Sequence, residues 1–315
     1  MQKHTENEKK DFNNTLKKSL EQLSTVIIDK ENTLKLAMTC LIASGHLLLE
    51  DIPGTGKTLL AHALAQVCDL DYQRVQFTND LLPADITGVS IFDRNSGGFT
   101  FHKGPIFTQL MLADEINRAT PKSQSALLEA MEERQVSVEG ETRQLPEPFF
   151  VIATQNPLEQ HGVYPLPEAQ LDRFLMRLSL GYISKDAELS LLAGKESRKI
   201  LAELSHSMSV AELLAMQAQI ADVHASMSLL EYIHALLDYT RNSGDFVTGL
   251  STRAGIALLR AARAWAFLHG QSQVIPADVQ AVFYAVAAHR LVPIATIGTM
   301  ENDSVQRVLS IVAIP

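Results

Sequence analysis

The sequence predicts an α/β fold: a parallel sheet flanked by helices, followed by a smaller all-helical domain. Three observations predict it. Short apolar runs at residues 47–49, 109–113 and 149–154 read as buried core strands. Helical stretches separate them, and strands that alternate with helices imply a parallel sheet covered on both faces. From about residue 186 onward no convincing strand follows, and residues 229–241, 252–268 and 276–290 carry apolar positions at helical period.

Taken in order, residues 12–24 place Phe12, Leu16, Leu20 and Leu23 on one face of an amphipathic helix. Residues 31–44 form a more fully buried helix ending at Gly45. Leu47 to Glu50 is a short buried strand, and Tyr72 to Thr78 alternates enough for a second. Residues 90–92 and 99–101 flank Asp93-Arg94-Asn95-Ser96-Gly97-Gly98 as a hairpin. Residues 109–115 are a third core strand with acids at its carboxyl end. Residues 121–134 are a helix with Pro121 in its first turn. Residues 136–145 form a second hairpin around Glu139-Gly140-Glu141, and residues 149–154 a fourth core strand. The expected organisation is a helical arm (1–24), an α/β core with two hairpin inserts (25–182), a helical connector (183–228) and a carboxyl-terminal helical domain (229–315).

A chain of 315 residues with 46% apolar and 20% charged residues is ordinary for a globular protein of two domains. Its net charge of −9 argues against broad, sequence-independent nucleic-acid binding, which needs a basic face. Cys40 and Cys68 sit in apolar helical patterns and read as buried small hydrophobes in a reducing compartment. The histidines, among them His4, His62, His161 and His224, show no ligand spacing. The polar amino terminus lacks the apolar core of a signal peptide, and no apolar stretch approaches the ~20 residues of a membrane span. A cytoplasmic protein is expected.

Five motifs carry chemistry. Asp51-Ile52-Pro53-Gly54-Thr55-Gly56-Lys57-Thr58 follows a strand and opens a helix through Leu59. Glycines there let consecutive N–H groups converge on an anion, and the helix adds the positive end of its dipole. Lys57 reaches outer phosphates and Thr58 can hold Mg²⁺. Asp51 stands where the usual pattern begins with Gly. Asp114-Glu115 closes a buried strand with two carboxylates, which is costly unless a cation awaits them. In a nucleotide site Asp114 binds Mg²⁺ and Glu115 polarises the attacking water. Asn156, just past the next strand, is expected to orient that water; the ordinary alternative is an Asx turn before Pro157. Arg173, in a helical run after Leu166-Pro167-Glu168-Ala169-Gln170-Leu171-Asp172, suits a developing phosphoryl charge; the alternative is an internal pair with Asp172 or Glu168. Arg253 lies in the first turn of a long helix, unfavourable against the dipole unless an anion compensates; the alternative is a solvated surface arginine.

The order of these elements, with residues 112–118, 121–136, 153–157 and 166–174 and the later segments 260–270, 276–279 and 289–290, resembles the MoxR family of AAA+ ATPases over roughly residues 25–310. The resemblance implies an AAA+ P-loop core with a helical lid, binding ATP and Mg²⁺. Gly54, Thr55, Gly56, Lys57 and Thr58 look like Walker A, with Asp114 and Glu115 as Walker B. Asn156 looks like sensor 1, Arg173 like the arginine finger and Arg253 like sensor 2, sensing the γ-phosphate from the lid. Ile27 and Ile28 look like the adenine-pocket edge, and both hairpins like pore-lining inserts. It further implies a homo-oligomeric, hexameric ring doing chaperone-like work on a client protein, with a von Willebrand factor A-type partner and no membrane. Two other readings stay open: a nucleic-acid motor and a chelatase-type subunit.

Overall fold

The computed structural model describes residues 2–94, 97–158, 162–193, 197–294 and 301–314. The chain runs α1 (Gln2–Val26), α2 (Glu31–Ile42), β1 (Leu47–Glu50), α3 (Lys57–Val67), β2 (Tyr72–Gln76), α4 (Pro83–Thr87), β3 (Gly88–Asp93), β4 (Gly98–Lys103) and β5 (Leu110–Asp114). A 3-10 turn (Ile116–Arg118) leads to α5 (Pro121–Glu133), β6 (Gln135–Val138), β7 (Glu141–Gln144), β8 (Phe150–Gln155), α6 (Glu168–Leu171) and β9 (Met176–Leu178). Helices α7 (Lys185–Leu192), α8 (Ser197–Glu203), α9 (Val210–Ile220), α10 (Met227–Asn242), α11 (Thr252–Leu268), α12 (Pro276–Ala287) and α13 (Glu301–Ile311) follow.

Five strands form one parallel sheet in the order β2-β5-β8-β1-β9. Alternation along each strand sorts side chains between two apolar cores. Leu47, Leu49, Leu110, Leu112, Phe150, Ile152 and Met176 enter one, which continues without a break into the helices of the carboxyl-terminal half. Leu48, Met111, Ala113, Val151 and Ala153 enter the other, under α5. That two-sided burial is why these strands are uninterrupted apolar runs. Helix α11 packs on α2 and α12 packs on β9, so the lid leans on the amino-terminal helices and the β9 edge.

The antiparallel pairs β3–β4 and β6–β7 are the two hairpins, with Ser137 opposite Thr142 and Ile91 opposite Thr100. Asn95 and Ser96 of the first turn, and His161, lie outside the described residues. Three expectations differ. Helix α1 starts well before residue 12, because its polar first half gave no apolar period. The helical run at 166–173 shrinks to α6, leaving Arg173 beyond it. Strand β9 was not expected: three residues are too few for a period, and Arg177 interrupts them while pairing with Glu50 at 2.8 Å.

Candidate functional site

At the carboxyl end of β1 the chain turns sharply before α3, the edge of a parallel α/β sheet where ligands bind. Gly54 (φ 85°) and Gly56 (φ 95°) adopt left-handed backbone that a side chain resists, and open space surrounds the position a Cβ would take at either. The turn is held from below by Asp51, only 6% exposed. Its Oδ1 accepts from Ile52 N at 3.0 Å, and its Oδ2 accepts from Leu180 N at 2.6 Å, Gly181 N at 2.8 Å and Ser179 Oγ at 3.1 Å. The residue that breaks the usual glycine pattern thus ties the loop to the segment leaving β9.

Lys57 Nζ donates to the carbonyls of Asp51 (2.7 Å) and Ile52 (2.8 Å), curled onto its own loop. Burial lowers its pKa, opposed by the carboxylates of Asp51, Asp114 and Glu115. Across the cleft, Asp114 Oδ1 accepts from Thr154 Oγ1 at 2.6 Å, while Oδ2 accepts from Arg74 Nε at 3.0 Å and Nη2 at 2.7 Å. Glu115 sits in left-handed backbone (φ 57°), a strained conformation for a residue with a side chain. The strain turns its carboxylate toward Gln76 Nε2 (2.6 Å) and Arg118 Nη1 (3.2 Å). Asn156 Oδ1 accepts from Leu158 N at 3.1 Å, so the Asx-turn alternative is present, and Asn156 also lines the cleft.

The cleft measures about 1120 Å³ and gathers Gly54, Gly56, Lys57, Thr58, Leu59, Asp114, Glu115 and Asn156, with His62 and Leu201 along its side. A mononucleotide fits such a volume. No cluster of three or more His, Cys, Asp or Glu suited to a metal exists among the described residues. Thr58 and Asp114 are the groups that could hold Mg²⁺, which ordinarily binds through one or two protein ligands, phosphates and water. Thr55 turns away, donating to Ile52 O at 3.2 Å. Ile27 is buried in the core at the end of α1, and neither it nor Ile28 is among the residues lining the cleft.

Arg173 and Arg253 lie elsewhere. Both pair with Glu132, Arg173 at 2.8 Å and Arg253 at 2.5 Å, in a second cavity that also includes Gly45 and His46. Those two residues precede β1, whereas the phosphate loop follows it, roughly 13 Å along the strand. The lid is on that far side too, so the expectation that Arg253 senses its own chain's nucleotide is corrected: α11 lines the second cavity, not the cleft. Arg173 pairs internally, with Glu132 in place of the Asp172 or Glu168 alternatives.

Residues 46–176 match the ATPase family associated with various cellular activities (AAA), and residues 238–308 match the AAA lid domain. The chain is 43% identical to the uncharacterized protein YeaC of Bacillus subtilis, over 97% of this chain and 96% of that one. It is 37% identical to Chaperone MoxR1 of Mycobacterium tuberculosis, over 96% and 82%. Protein MoxR of Paracoccus denitrificans is 31% identical over 85% and 86%. The chain belongs to the MoxR family of AAA+ ATPases. A solved structure from Cytophaga hutchinsonii, described as a candidate ATPase, superposes with a TM-score of 0.90 at 36% identity, over 99% of this chain and 98% of that one. No helix among the described residues is long and apolar enough to cross a membrane.

Within this MoxR-family site, sequence reasoning missed Asp51 as a loop brace and Arg74, Gln76 and Arg118 as partners of the two acids. Their placement is tertiary: β2 pairs with β5 in a register that sets Gln76 opposite Asp114, with Arg74 two residues back on the same face, and the local sequence pattern carries no signal of that register.

Proposed function

We propose that this chain binds and hydrolyses ATP with Mg²⁺, and that the work is done by a homo-oligomeric ring, expected to be hexameric. The observation that carries this reading is the convergence of Lys57, Thr58, Asp114, Glu115 and Asn156 on one cleft beneath a phosphate loop. Gly54, Thr55 and Gly56 offer the phosphates their backbone N–H groups, and Lys57 leaves its two carbonyls for them. Asp114 and Thr58 are the residues that would hold Mg²⁺, and the ion would supply neutralisation of phosphate charge. Glu115 is the candidate base for the attacking water, and Asn156 orients that water. Since Arg173 and Arg253 lie at the far end of the sheet from their own cleft, they are read as acting on a neighbour's nucleotide. Such a finger raises the rate by about 10³–10⁵. Hydrolysis would then drive chaperone-like remodelling of a client protein, with a von Willebrand factor A-type partner and a cytoplasmic setting. The name of Chaperone MoxR1 supports the chaperone part of the reading.

Steady-state phosphate release tests it. Lys57→Ala should lose tight ATP binding, and Glu115→Gln should bind ATP without turnover. Turnover undiminished in Glu115→Gln would remove the proposed base. Mixtures of Arg173→Ala and Glu115→Gln subunits should recover hydrolysis, since each supplies what the other lacks.

A further inference from the structure

The second cavity, about 340 Å³, has an unusual charge balance. Five arginines (Arg134, Arg173, Arg253, Arg260 and Arg290) face two carboxylates, Glu132 and Asp172. Four of the five have partners. Arg290 donates to Asp172 Oδ1 at 2.6 Å and to the carbonyls of Asp172 and Phe174. Arg173 and Arg253 share Glu132, and Arg134 Nη2 reaches Ser44 O at 3.4 Å. Arg260 makes no hydrogen bond or ion pair within the described residues.

Arg260 is exposed to solvent and lines the cavity together with Arg134, Arg253 and Arg290. Nearby protein lowers its pKa, chiefly by partial desolvation, with Arg134 and Arg290 pushing the same way. A cation crowded by two like charges, with no carboxylate of its own, is stabilised when an anion arrives. Its position on α11 indicates the anion's shape. Arg253 and Arg260 are seven residues apart, two turns along one face, so they stand roughly 10 Å from each other. Ile256 and Ala257 form the cavity wall between them. A row of that length suits an extended polyanion better than one small ion. Glu132 lies at one end of it as the internal carboxylate that Arg173 and Arg253 share.

We propose that Arg260 is a third arginine with which one copy of this chain grips the phosphate tail of the nucleotide bound by the next copy. Glu132 stands in for that phosphate when no neighbour is docked. The proposal rests on the reading that Arg173 and Arg253 act across the subunit interface.

The test is subunit mixing at fixed total protein, read by phosphate release. Arg260→Ala alone should lose activity by about 10²-fold, the scale of removing one partner of a close charge pair. Mixed with Glu115→Gln, it should regain hydrolysis with a maximum at intermediate ratio, because a Glu115→Gln neighbour supplies Arg260 to a site whose own Glu115 is intact. Arg260→Lys should keep part of the activity unmixed. If Arg260→Ala does not fold, as judged by thermal unfolding, Arg260→Gln takes its place, and a folding defect gains nothing from mixing. Wild-type turnover in Arg260→Ala overturns the proposal. So does a mixture that never exceeds the sum of its parts while Arg173→Ala with Glu115→Gln does; Arg260 would then act only within its own chain. Failure of both mixtures refutes the interface reading itself, and Arg260's role with it.

Discussion

Replacing Asp51 by glycine brings the loop closer to the usual phosphate-loop pattern, yet the structure predicts damage. The carboxylate accepts from three backbone N–H groups and one hydroxyl. The Leu180 N–H bond is fully buried and the other two backbone bonds are partly buried. Leaving the Leu180 donor unpaired costs about 1–3 kcal/mol, and each of the other two about 0.5–1.5 kcal/mol because water can reach them. The Ser179 hydroxyl can turn to solvent and is left out. Added flexibility at residue 51 costs about 0.5–1 kcal/mol more. The expected loss is therefore about 2.5–7 kcal/mol, measured by urea unfolding of wild type and Asp51→Gly. ATP affinity, measured in the folded protein, should fall with it because the loop loses its tie to residues 179–181. Asp51→Asn, which keeps one acceptor oxygen, should lose less than Asp51→Gly. A loss under about 1 kcal/mol with unchanged affinity would refute the claim that this side chain braces the loop.

Three other outcomes are expected. Arg74→Ala frees Asp114, so the Mg²⁺ concentration for half-maximal hydrolysis should fall; a rise would mean Arg74 assists the metal site. His46 is buried and neutral, its pKa lowered by burial to about 3, with Nδ1 accepting from Val151 N at 3.0 Å. The unfolded chain takes up that proton near pH 6.5 and the folded chain does not, so stability is full above 6.5 and declines as pH falls toward 3. At pH 5 this amounts to about 2 kcal/mol for His46, with His289 adding in the same direction; a flat unfolding free energy between pH 7.5 and 5 would contradict it. Gly56→Ala meets no atom, so its cost should be the left-handed backbone alone, about 1–2 kcal/mol in thermal unfolding, and a larger loss would reveal a hidden clash.

The sheet was legible in the sequence because burial on both faces writes itself as unbroken apolar runs, as in Leu47 to Leu49 and Phe150 to Ala153. The phosphate loop and the acid pair were legible because strand, turn and helix follow one another within a few residues. Strand β9 was not, since three residues carry no period. Asp51 was visible only as an exception to a motif; its partners at 179–181 lie about 130 residues away, a contact that only tertiary structure supplies. Arg74 belongs to β2, and its meeting with Asp114 depends on a strand register that local pattern does not encode. The side on which the lid sits was equally hidden, because helical periodicity says which face is apolar but not what covers it.

The apolar core that runs from the sheet into the carboxyl-terminal helices has a mechanical side. Leu47 and Met176 share it with Leu258, Val282 and Val286, and α12 rests directly on β9. Swinging the lid away from the sheet would wet a dry seam, so the two halves of one polypeptide are geared to travel as a single lever. In the proposed ring, strokes would then be cheapest at the joints between successive polypeptides, where the proposed arginine row, rather than a bending hinge, would feel whether a phosphate is there.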